Sequence, residues 1–294
     1  MDLNVEEFDK KIWEIVPADG IIEQLATGFT FTEGPIWRGD YLLFSDIPCN
    51  RIVRLVKLSY GPEISTLRTP SNNSNGLTLD GSGRLIACEH SGRRVTRTEA
   101  DGSITVLADS YKGGRLNSPN DVVVRSDGSV FFTDPSYGLG NPPQWMETPS
   151  KGVYRIAPNG ELVLLVDDFN MPNGLAFSQD ESLLYVNDTV ERHIRAFDVA
   201  EDGSLGSGRV FVKMDKPEPG APDGMKVDSQ GNVYCTGPGG FWVMDPSGEP
   251  LGRVMMTELP ANMAWGDHDW KSLYLTARTS IYRLKLSVLG ISVP

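Results

Sequence analysis

A short pattern that recurs six times along the chain constrains its fold more than any other feature. Each copy begins with a polar residue, here called the head, followed by a short apolar strand, a turn and further strands rich in Val, Leu, Tyr or Phe. The heads are Glu33, Asn75, Asn120, Asn173, Asp223 and Asn262. Their spacing of 39 to 53 residues is typical of four-stranded propeller blades. The sequence therefore predicts an all-β, six-bladed β-propeller with four-stranded blades.

The two ends of the chain indicate how the ring closes. The last copy ends after Leu286 without a fourth strand, whereas residues 21–25 form an apolar strand before the first head. Pairing these two segments would hide an exposed sheet edge. We therefore expect the N-terminal strand to complete the last blade, and residues 1–294 to form one domain. An all-β sandwich is the competing architecture, but it does not explain six copies in phase.

Composition and charge narrow the possible partners and the compartment. The net charge is −12 and the pI is near 4.8, without a Lys/Arg-rich run, which argues against a nucleic-acid partner. No apolar stretch is long enough to span a membrane, and the N-terminus lacks the apolar core of a secretion signal. The three cysteines are far apart, which favours free thiols. We expect a cytoplasmic monomer or weak dimer.

The six heads point to a cation site. The innermost strand of each blade lines the central channel, so the heads should meet at one end of it, and all six carry side-chain oxygen. Oxygen ligands suit a hard cation, so we expect one divalent ion, Ca²⁺ in the first place, with Zn²⁺, Mn²⁺ or Mg²⁺ as alternatives. Turn chemistry is the competing interpretation, because three heads form Asn-Gly or Asp-Gly. Which heads would only hydrogen-bond stays open.

A second ring of polar residues is expected around the heads, since the second strand of each blade returns to the same end of the channel. Its members are Asp46, Glu89, His90, Asp134, Asn187 and Asp188. They are candidates for orienting the ligands or contacting substrate, or they are turn residues. The long connection at residues 137–151, with Trp145, is either a lid or a loop packed on its blade.

Four motifs carry a family resemblance. They are Thr32-Glu33-Gly34-Pro35, Leu116-Asn117-Ser118-Pro119-Asn120-Asp121, Met171-Pro172-Asn173-Gly174-Leu175 and Pro222-Asp223-Gly224-Met225. In this order they resemble the senescence-marker/gluconolactonase/luciferin-regenerating family, and the likeness covers residues 20–285. The stretch Asn117-Ser118-Pro119 is similar to that of bacterial gluconolactonases. Animal relatives have a substrate-binding arginine where this chain has Ser118.

The resemblance implies a six-bladed propeller that holds one divalent metal and hydrolyses sugar lactones. It implies that Glu33, Asn173 and Asp223 bind the metal, that Asn120 touches metal or substrate, and that Asp223 is the acid/base. Asn117, His90 and Trp145 are further candidates for substrate contact. Rival functions are a hydrolase of other esters or organophosphates at the same site, and a non-catalytic calcium-binding propeller. No Gly-x-Ser-x-Gly elbow is present.

Overall fold

Sheets dominate the fold. A computed structural model describes residues 3–140, 145–148 and 150–293. The N-terminal elements are β1 (Val5–Glu7), the short helix α1 (Ile12–Ile15) and β2 (Ile22–Thr27). The strands that follow form antiparallel four-stranded meanders, one after another along the chain. This regular succession confirms the predicted six-bladed propeller.

The blades take their strands in chain order. Blade 1 contains β3 (Thr32–Arg38), β4 (Tyr41–Asp46), β5 (Arg51–Leu58) and β6 (Gly61–Arg68). Blade 2 contains β7 (Ser74–Leu79), β8 (Leu85–Glu89), β9 (Arg94–Thr98) and β10 (Ile104–Ala108). A ribbon of β11 (Ser110–Tyr111) and β12 (Gly114–Arg115) follows. Blade 3 contains β13 (Val122–Val124), β14 (Val130–Asp134), β15 (Gly152–Ile156) and β16 (Leu162–Val166).

The second half of the ring repeats the arrangement. Blade 4 contains β17 (Pro172–Phe177), β18 (Leu183–Asp188), β19 (His193–Asp198) and β20 (Arg209–Lys213). Blade 5 contains β21 (Met225–Val227), β22 (Val233–Gly237), β23 (Gly240–Met244) and β24 (Pro250–Met255). Blade 6 contains β25 (Asn262–Gly266), β26 (Ser272–Ala277), β27 (Ser280–Lys285) and β2. The innermost strands of neighbouring blades contact one another, and those of blades 6 and 1 close the ring.

The N-terminal segment closes the propeller as predicted. Strand β2 pairs antiparallel with β27, with Ile22 opposite Leu284 and Thr27 opposite Ser280. The sequence did not predict β1, which pairs with β24 and gives blade 5 a fifth strand. Both pairings cover an edge that would otherwise present unpaired backbone groups.

Aspartates fix the hairpin turns. Asp80 Oδ1 accepts hydrogen bonds from Ser82 N at 2.9 Å and Arg84 N at 3.0 Å, and Asp127 Oδ1 accepts one from Ser129 N at 2.8 Å. The same contact, to the amide two residues on, recurs at Asp101, Asp180, Asp202, Asp228 and Asp245. An aspartate that binds its own following backbone stabilises a tight turn. The two hairpin turns predicted at Asp80-Gly81 and Asp127-Gly128 are therefore confirmed.

The hydrophobic core lies between the blades. In the described part of the chain, six clusters of buried apolar side chains each join two neighbouring blades. Between blades 1 and 2, for example, Ile36 and Leu43 pack with Leu77 and Leu85. Each such side chain contributes about 1.5–3 kcal/mol when fully buried. Because the apolar side chains pack between the blades, the residues that line the channel can be polar.

Two simpler expectations can be checked directly. The three cysteines are free, with Cys49 exposed and Cys88 and Cys235 buried. Within the described ranges, no helix has the length and apolar character needed to cross a membrane.

Candidate functional site

The heads lie at the start of the innermost strands, all at the same end of the channel, which we call the head end. Glu33, Asn75 and Asn173 lie inside β3, β7 and β17, at points where the pairing register shifts. Such a shift marks a β-bulge, which re-aims a side chain. The Asn-Gly pairs are therefore not hairpin turns, and the interpretation of the heads as turn residues is wrong for these positions.

Glycines after the heads allow neighbouring blades to approach closely. A Cβ atom on Gly34 would overlap the carbonyl oxygen of Asn75, and one on Gly174 would overlap that of Asp223. Gly34 also has a φ of +51°, which L side chains rarely adopt. The glycine that suggested a turn is thus required because the backbone of the next blade lies directly against it.

Hydrogen bonds link the heads of three consecutive blades. Asn75 Nδ2 donates to Asn120 Oδ1, and Asn120 Nδ2 donates to Asn173 Oδ1 at 2.8 Å. Asn173 Nδ2 in turn donates to Thr189 Oγ1 at 3.0 Å and to Tyr137 Oη at 3.2 Å. Asn120 is therefore held by the heads on both sides of it. This series fixes where the amide oxygens of Asn120 and Asn173 lie.

Two carboxyl groups complete the ring of heads. Glu33 Oε2 accepts hydrogen bonds from Gly34 N at 2.6 Å and Asn262 Nδ2 at 3.0 Å. Burial raises the pKa of Glu33 from 4.5 to about 7, and the charge of Asp121 adds to the effect. Burial also raises the pKa of Asp223 well above its usual value, and the charges of Glu33 and Asp121 raise it further. Because two ionised carboxylates that are buried close together repel each other, the site favours binding of a cation or a proton.

Asp121 is a site residue that the sequence analysis did not single out. It is buried, its Oδ1 accepts a hydrogen bond from Val122 N at 2.9 Å, and its Oδ2 has no hydrogen-bond partner among the described residues. Burial raises its pKa as well. Its position directly after the head Asn120 was the available clue, since it places an acidic side chain next to the oxygen-bearing heads.

Tyr137 and Thr189 were also not predicted. Tyr137 begins a 3-10 turn (Tyr137–Leu139), and its hydroxyl donates to Thr189 Oγ1 at 2.8 Å. Thr189 Oγ1 donates to the carbonyl of Pro222, the residue before Asp223, at 2.8 Å. Burial and the charge of Asp223 raise the pKa of the Tyr137 hydroxyl. The pair thus connects the heads Asn173 and Asp223 around the head end of the channel.

The second ring mainly supports the loops that carry the heads. Asp46 accepts from the amides of Thr30 and Phe31, and Asp134 from those of Asn117 and Ser118. The equivalent Asp188 accepts from Asn170 N and Met171 N. Glu89 instead binds arginines and Thr96. These aspartates fix the backbone of the loops that lead into the head-bearing strands, as an aspartate does at a turn.

His90 lies beside the head ring. It is buried, and its Nε2 is 3.3 Å from Asn75 Nδ2. Burial lowers its pKa to about 4, so the ring is neutral at pH 7. A neutral imidazole can accept the hydrogen bond that Asn75 offers. The structure therefore places His90 in contact with the head Asn75, which in turn bonds Asn120.

Asn117 and Trp145 are not brought to the head ring. Asn117 is fully buried, and its side chain bonds the carbonyls of Asp134 and Ser150 and accepts from Thr148 Oγ1. Trp145 is 67% exposed. Asn117 thus holds the connection between β14 and β15 within blade 3. In the same connection, the carbonyl of Trp145 accepts a hydrogen bond from Arg93 Nη2 of blade 2 at 3.1 Å.

The predicted lid at residues 137–151 is described only in part, because residues 141–144 and 149 lie outside the described ranges. Its first turn packs on the head end, where Gly138 N donates to Ser118 Oγ at 2.7 Å. Its later part is held by Arg93, whose Nη1 is 2.8 Å from Glu147 Oε1. The loop therefore borders the site, and its role as a lid stays a prediction.

The donor set at the head end fits a hard divalent cation. Glu33 and Asp223 supply carboxylate oxygens, and Asn120 and Asn173 supply amide oxygens, which are the ligand types that Ca²⁺ and Mg²⁺ prefer. Within the described ranges, no three His, Cys, Asp or Glu side chains form a metal-binding group. Amide ligands are therefore an essential part of any such site. The buried Asp121 Oδ2 without a partner adds negative charge nearby.

Comparison with known proteins gives the family of the chain. Residues 31–279 match the SMP-30/Gluconolactonase/LRE-like region. The chain belongs to this family. A gluconolactonase of Zymomonas mobilis is 31% identical over 97% of this chain and 87% of the relative. The pentonolactonase XacC of Haloferax volcanii is 32% identical over 83% of this chain and 80% of the relative. A solved gluconolactonase of Xanthomonas campestris superposes with a TM-score of 0.86 at 34% identity, covering 96% of this chain and 94% of that one.

Proposed function

We propose that this chain is a metal-dependent lactonase that opens sugar lactones to aldonic acids. The observation that carries the proposal is the convergence of two carboxylates and two amides at the head end of the channel. Relatives named gluconolactonase and pentonolactonase support the substrate class. Glu33, Asn173 and Asp223 would hold one divalent cation, with Ca²⁺ as our first choice, and Asn120 would touch the cation or the substrate.

A lactone is a cyclic ester, so its hydrolysis requires a water molecule to attack the carbonyl carbon while negative charge develops on the carbonyl oxygen. A divalent cation bound at the head end would polarise that carbonyl and stabilise the developing charge. The amide of Asn120 is oriented by Asn75 and Asn173, so it is ready to hydrogen-bond a substrate without reorganisation.

Asp223 would act as the acid/base. It would take a proton from the attacking water and deliver one to the ring oxygen that leaves as an alcohol, so the lactone gains one water and becomes a hydroxy acid. Burial and the neighbouring carboxylates raise the pKa of Asp223 in the cation-free protein. A cation held by one oxygen of Asp223 would lower this pKa, so the other oxygen would take the proton. His90 is neutral at pH 7 and would serve as a hydrogen-bond partner beside Asn120.

The test is a panel of aldonolactones assayed with and without a chelator, on the wild type and on Asp223→Asn. We expect lactone hydrolysis to be lost with the chelator and to decrease at least about a hundredfold in Asp223→Asn, since general acid–base catalysis contributes about 10²–10⁴-fold. Asp40→Asn, at an exposed position, is the matched control and should retain wild-type rates. Activity on simple esters or organophosphates but on no aldonolactone would contradict the proposed substrate class.

A further inference from the structure

The residue directly before the third strand of a blade, here called the corner residue, has the same unusual backbone in three blades. It is Asn50 in blade 1, Arg93 in blade 2 and Arg192 in blade 4, with φ values of +55°, +54° and +53°. This left-handed conformation suits glycine and is tolerated by asparagine, but it is unfavourable for other residues. An arginine there is unexpected unless the contacts of its side chain compensate.

The corner residues share one type of contact, because each binds the connection that leads to the head of a following blade. Asn50 Oδ1 accepts a hydrogen bond from Asn73 N at 2.9 Å, two residues before the head of blade 2. Arg93 Nε donates to the carbonyl of Leu116 at 2.6 Å, four residues before the head of blade 3. The turn between the second and third strands thus holds the backbone that carries the next head.

Arg192 binds the connection to Asp223 at two points. Its Nη1 donates to the carbonyl of Lys216 at 3.0 Å, and its Nη2 donates to the carbonyl of Gly220 at 2.9 Å. Because the donors of a guanidinium group are fixed in one plane, the two bonds together set how the chain from Lys216 to Gly220 lies on blade 4. Gly220 is three residues before Asp223.

The connection at residues 215–222, here called the approach segment, has few backbone donors with which to hold itself in place. It contains three residues without a backbone N–H, Pro217, Pro219 and Pro222. Its carbonyls are bound instead: Thr189, in the same turn as Arg192, donates to the carbonyl of Pro222 at 2.8 Å. Arg253 of blade 5 binds the carboxylate of Glu218. Side chains of the two adjoining blades therefore fix the approach segment.

We propose that Arg192 is a positioning residue that sets the place of Asp223 at the head end. This inference rests on the acid/base role of Asp223 in the proposed function. Only Ala221 and Pro222 separate Gly220 from Asp223, so a shift of the Gly220 carbonyl moves the carboxyl of Asp223. A general acid/base must lie within hydrogen-bond reach of the proton that it transfers, and a misplacement of about 1 Å can lower a rate about a hundredfold.

The experiment measures kcat and KM of Arg192→Gly at saturating CaCl₂, on the aldonolactone that the wild type hydrolyses fastest. Glycine suits the left-handed backbone, so the substitution removes the side chain without adding strain. We expect kcat to fall about tenfold or more while KM stays within about twofold, because the misplaced Asp223 is needed in the transition state. The assay is run well below the melting temperature of each variant, so that only folded protein is compared.

Arg278→Gly is the matched control. Arg278 lies in the turn between β26 and β27, has a φ of +47° and is exposed. The same substitution thus removes an arginine from the same backbone conformation in blade 6, whereas the approach segment joins blades 4 and 5. It should keep the wild-type kcat. Arg192→Lys keeps the charge but can bind only one of the two carbonyls at a time, so its kcat should fall about threefold.

A double variant tests whether Arg192 acts through Asp223. Once Asp223→Asn has removed the acid/base, adding Arg192→Gly should lower the residual kcat by less than about twofold, because two changes that act through one group are not additive. A loss as large as in the wild-type background would overturn the inference, since Arg192 would then act on the site by another route.

The outcomes separate this inference from the proposed function. A wild type that hydrolyses no aldonolactone overturns both. An active wild type together with an Arg192→Gly variant of unchanged kcat overturns only the role of Arg192, even where the variant melts at a lower temperature. An increase in KM without a loss of kcat overturns it as well. Should Arg192→Gly fail to fold, Arg192→Lys decides, since a fall in kcat alone supports the inference and a wild-type kcat overturns it.

Discussion

The buried carboxyl of Glu33 should make the cation-free protein less stable as the pH rises. In the unfolded chain this group has a pKa of 4.5, whereas in the fold burial raises it to about 7. Below pH 4.5 the group is protonated in both states and costs nothing. Between pH 4.5 and 7 the folded state holds a proton that the unfolded state has released. Stability therefore falls across this window, and the full penalty is present above pH 7.

The size of the penalty follows from the difference between the two pKa values. One pKa unit corresponds to about 1.4 kcal/mol, so the change from 4.5 to about 7 corresponds to about 3 kcal/mol. A domain of ordinary stability has about 5–15 kcal/mol in total. Glu33→Gln keeps the shape of the side chain and removes the charge, so it should recover most of this energy at pH 8.

The assay is urea denaturation in the presence of a chelator, at pH 5 and pH 8, for the wild type and Glu33→Gln. Other groups titrate in the same range, among them Asp134, whose pKa burial raises to about 7. The contribution of Asp134 is common to both proteins and cancels in the comparison. The charge of Glu33 raises the pKa of Asp223, so that pKa should be lower in Glu33→Gln, which adds to the difference between the two proteins. Because pH 5 already lies above the unfolded pKa, we expect the wild type to lose at least about 2.5 kcal/mol more than Glu33→Gln between the two pH values. The exposed Glu63→Gln should behave as the wild type does.

Equal pH dependence of the wild type and Glu33→Gln would refute the reasoning, because it would mean that Glu33 ionises in the fold as easily as in the unfolded chain. Saturating Ca²⁺ gives a second check. A cation bound to Glu33 compensates its charge, so the difference between the two pH values should shrink in the wild type and not in Glu33→Gln.

Two further predictions concern the geometry of the head end. Gly174→Ala should destabilise the fold by about 3 kcal/mol in urea denaturation, because its Cβ would overlap the carbonyl of Asp223. The control Gly81→Ala, which has open space around it, should change the free energy of unfolding by less than about 0.5 kcal/mol. Equal losses of stability at the two positions would contradict the close approach of the blades at Gly174. Tyr137→Phe removes one of the two acceptors of Asn173 Nδ2 and should weaken Ca²⁺ binding about threefold without lowering the melting temperature. Tyr60→Phe, 85% exposed, should leave calorimetric binding unchanged, and a Tyr137→Phe variant indistinguishable from it would reject the role of the hydroxyl.

The repeat could be predicted from the sequence because every blade is built from the same sequence of strands and turns. An apolar innermost strand, a turn and a second strand recur with the period of a blade, and Asp80 and Asp127 mark turns that the structure contains. The closing strand could be predicted as well, since an apolar strand without a neighbouring partner in the sequence must pair with a distant strand. By contrast, β1 is three residues long and only partly buried, so its pattern carries too little information to predict its pairing with β24.

The local backbone structure at the heads could not be predicted from the sequence alone. Asn75-Gly76 and Asn173-Gly174 have the composition of turns, yet they lie at bulges inside strands. What decides between the two is the backbone of the neighbouring blade, about 45 or 50 residues further along the chain. Asn117 was predicted to contact substrate from its place in a motif, and its side chain bonds Asp134, Thr148 and Ser150 of blade 3; its contact with substrate stays a prediction.

The sequence by itself determined the blade repeat, the closing strand and the oxygen-rich heads, because these depend on periodicity and residue type. Only the tertiary structure decided which charges face one another. Asp121 and Asp223 belong to blades 3 and 5, and the charge of Asp121 raises the pKa of Asp223. The physical reason is that electrostatic interaction depends on distance and burial in three dimensions, and neither can be read from positions separated by a hundred residues of chain.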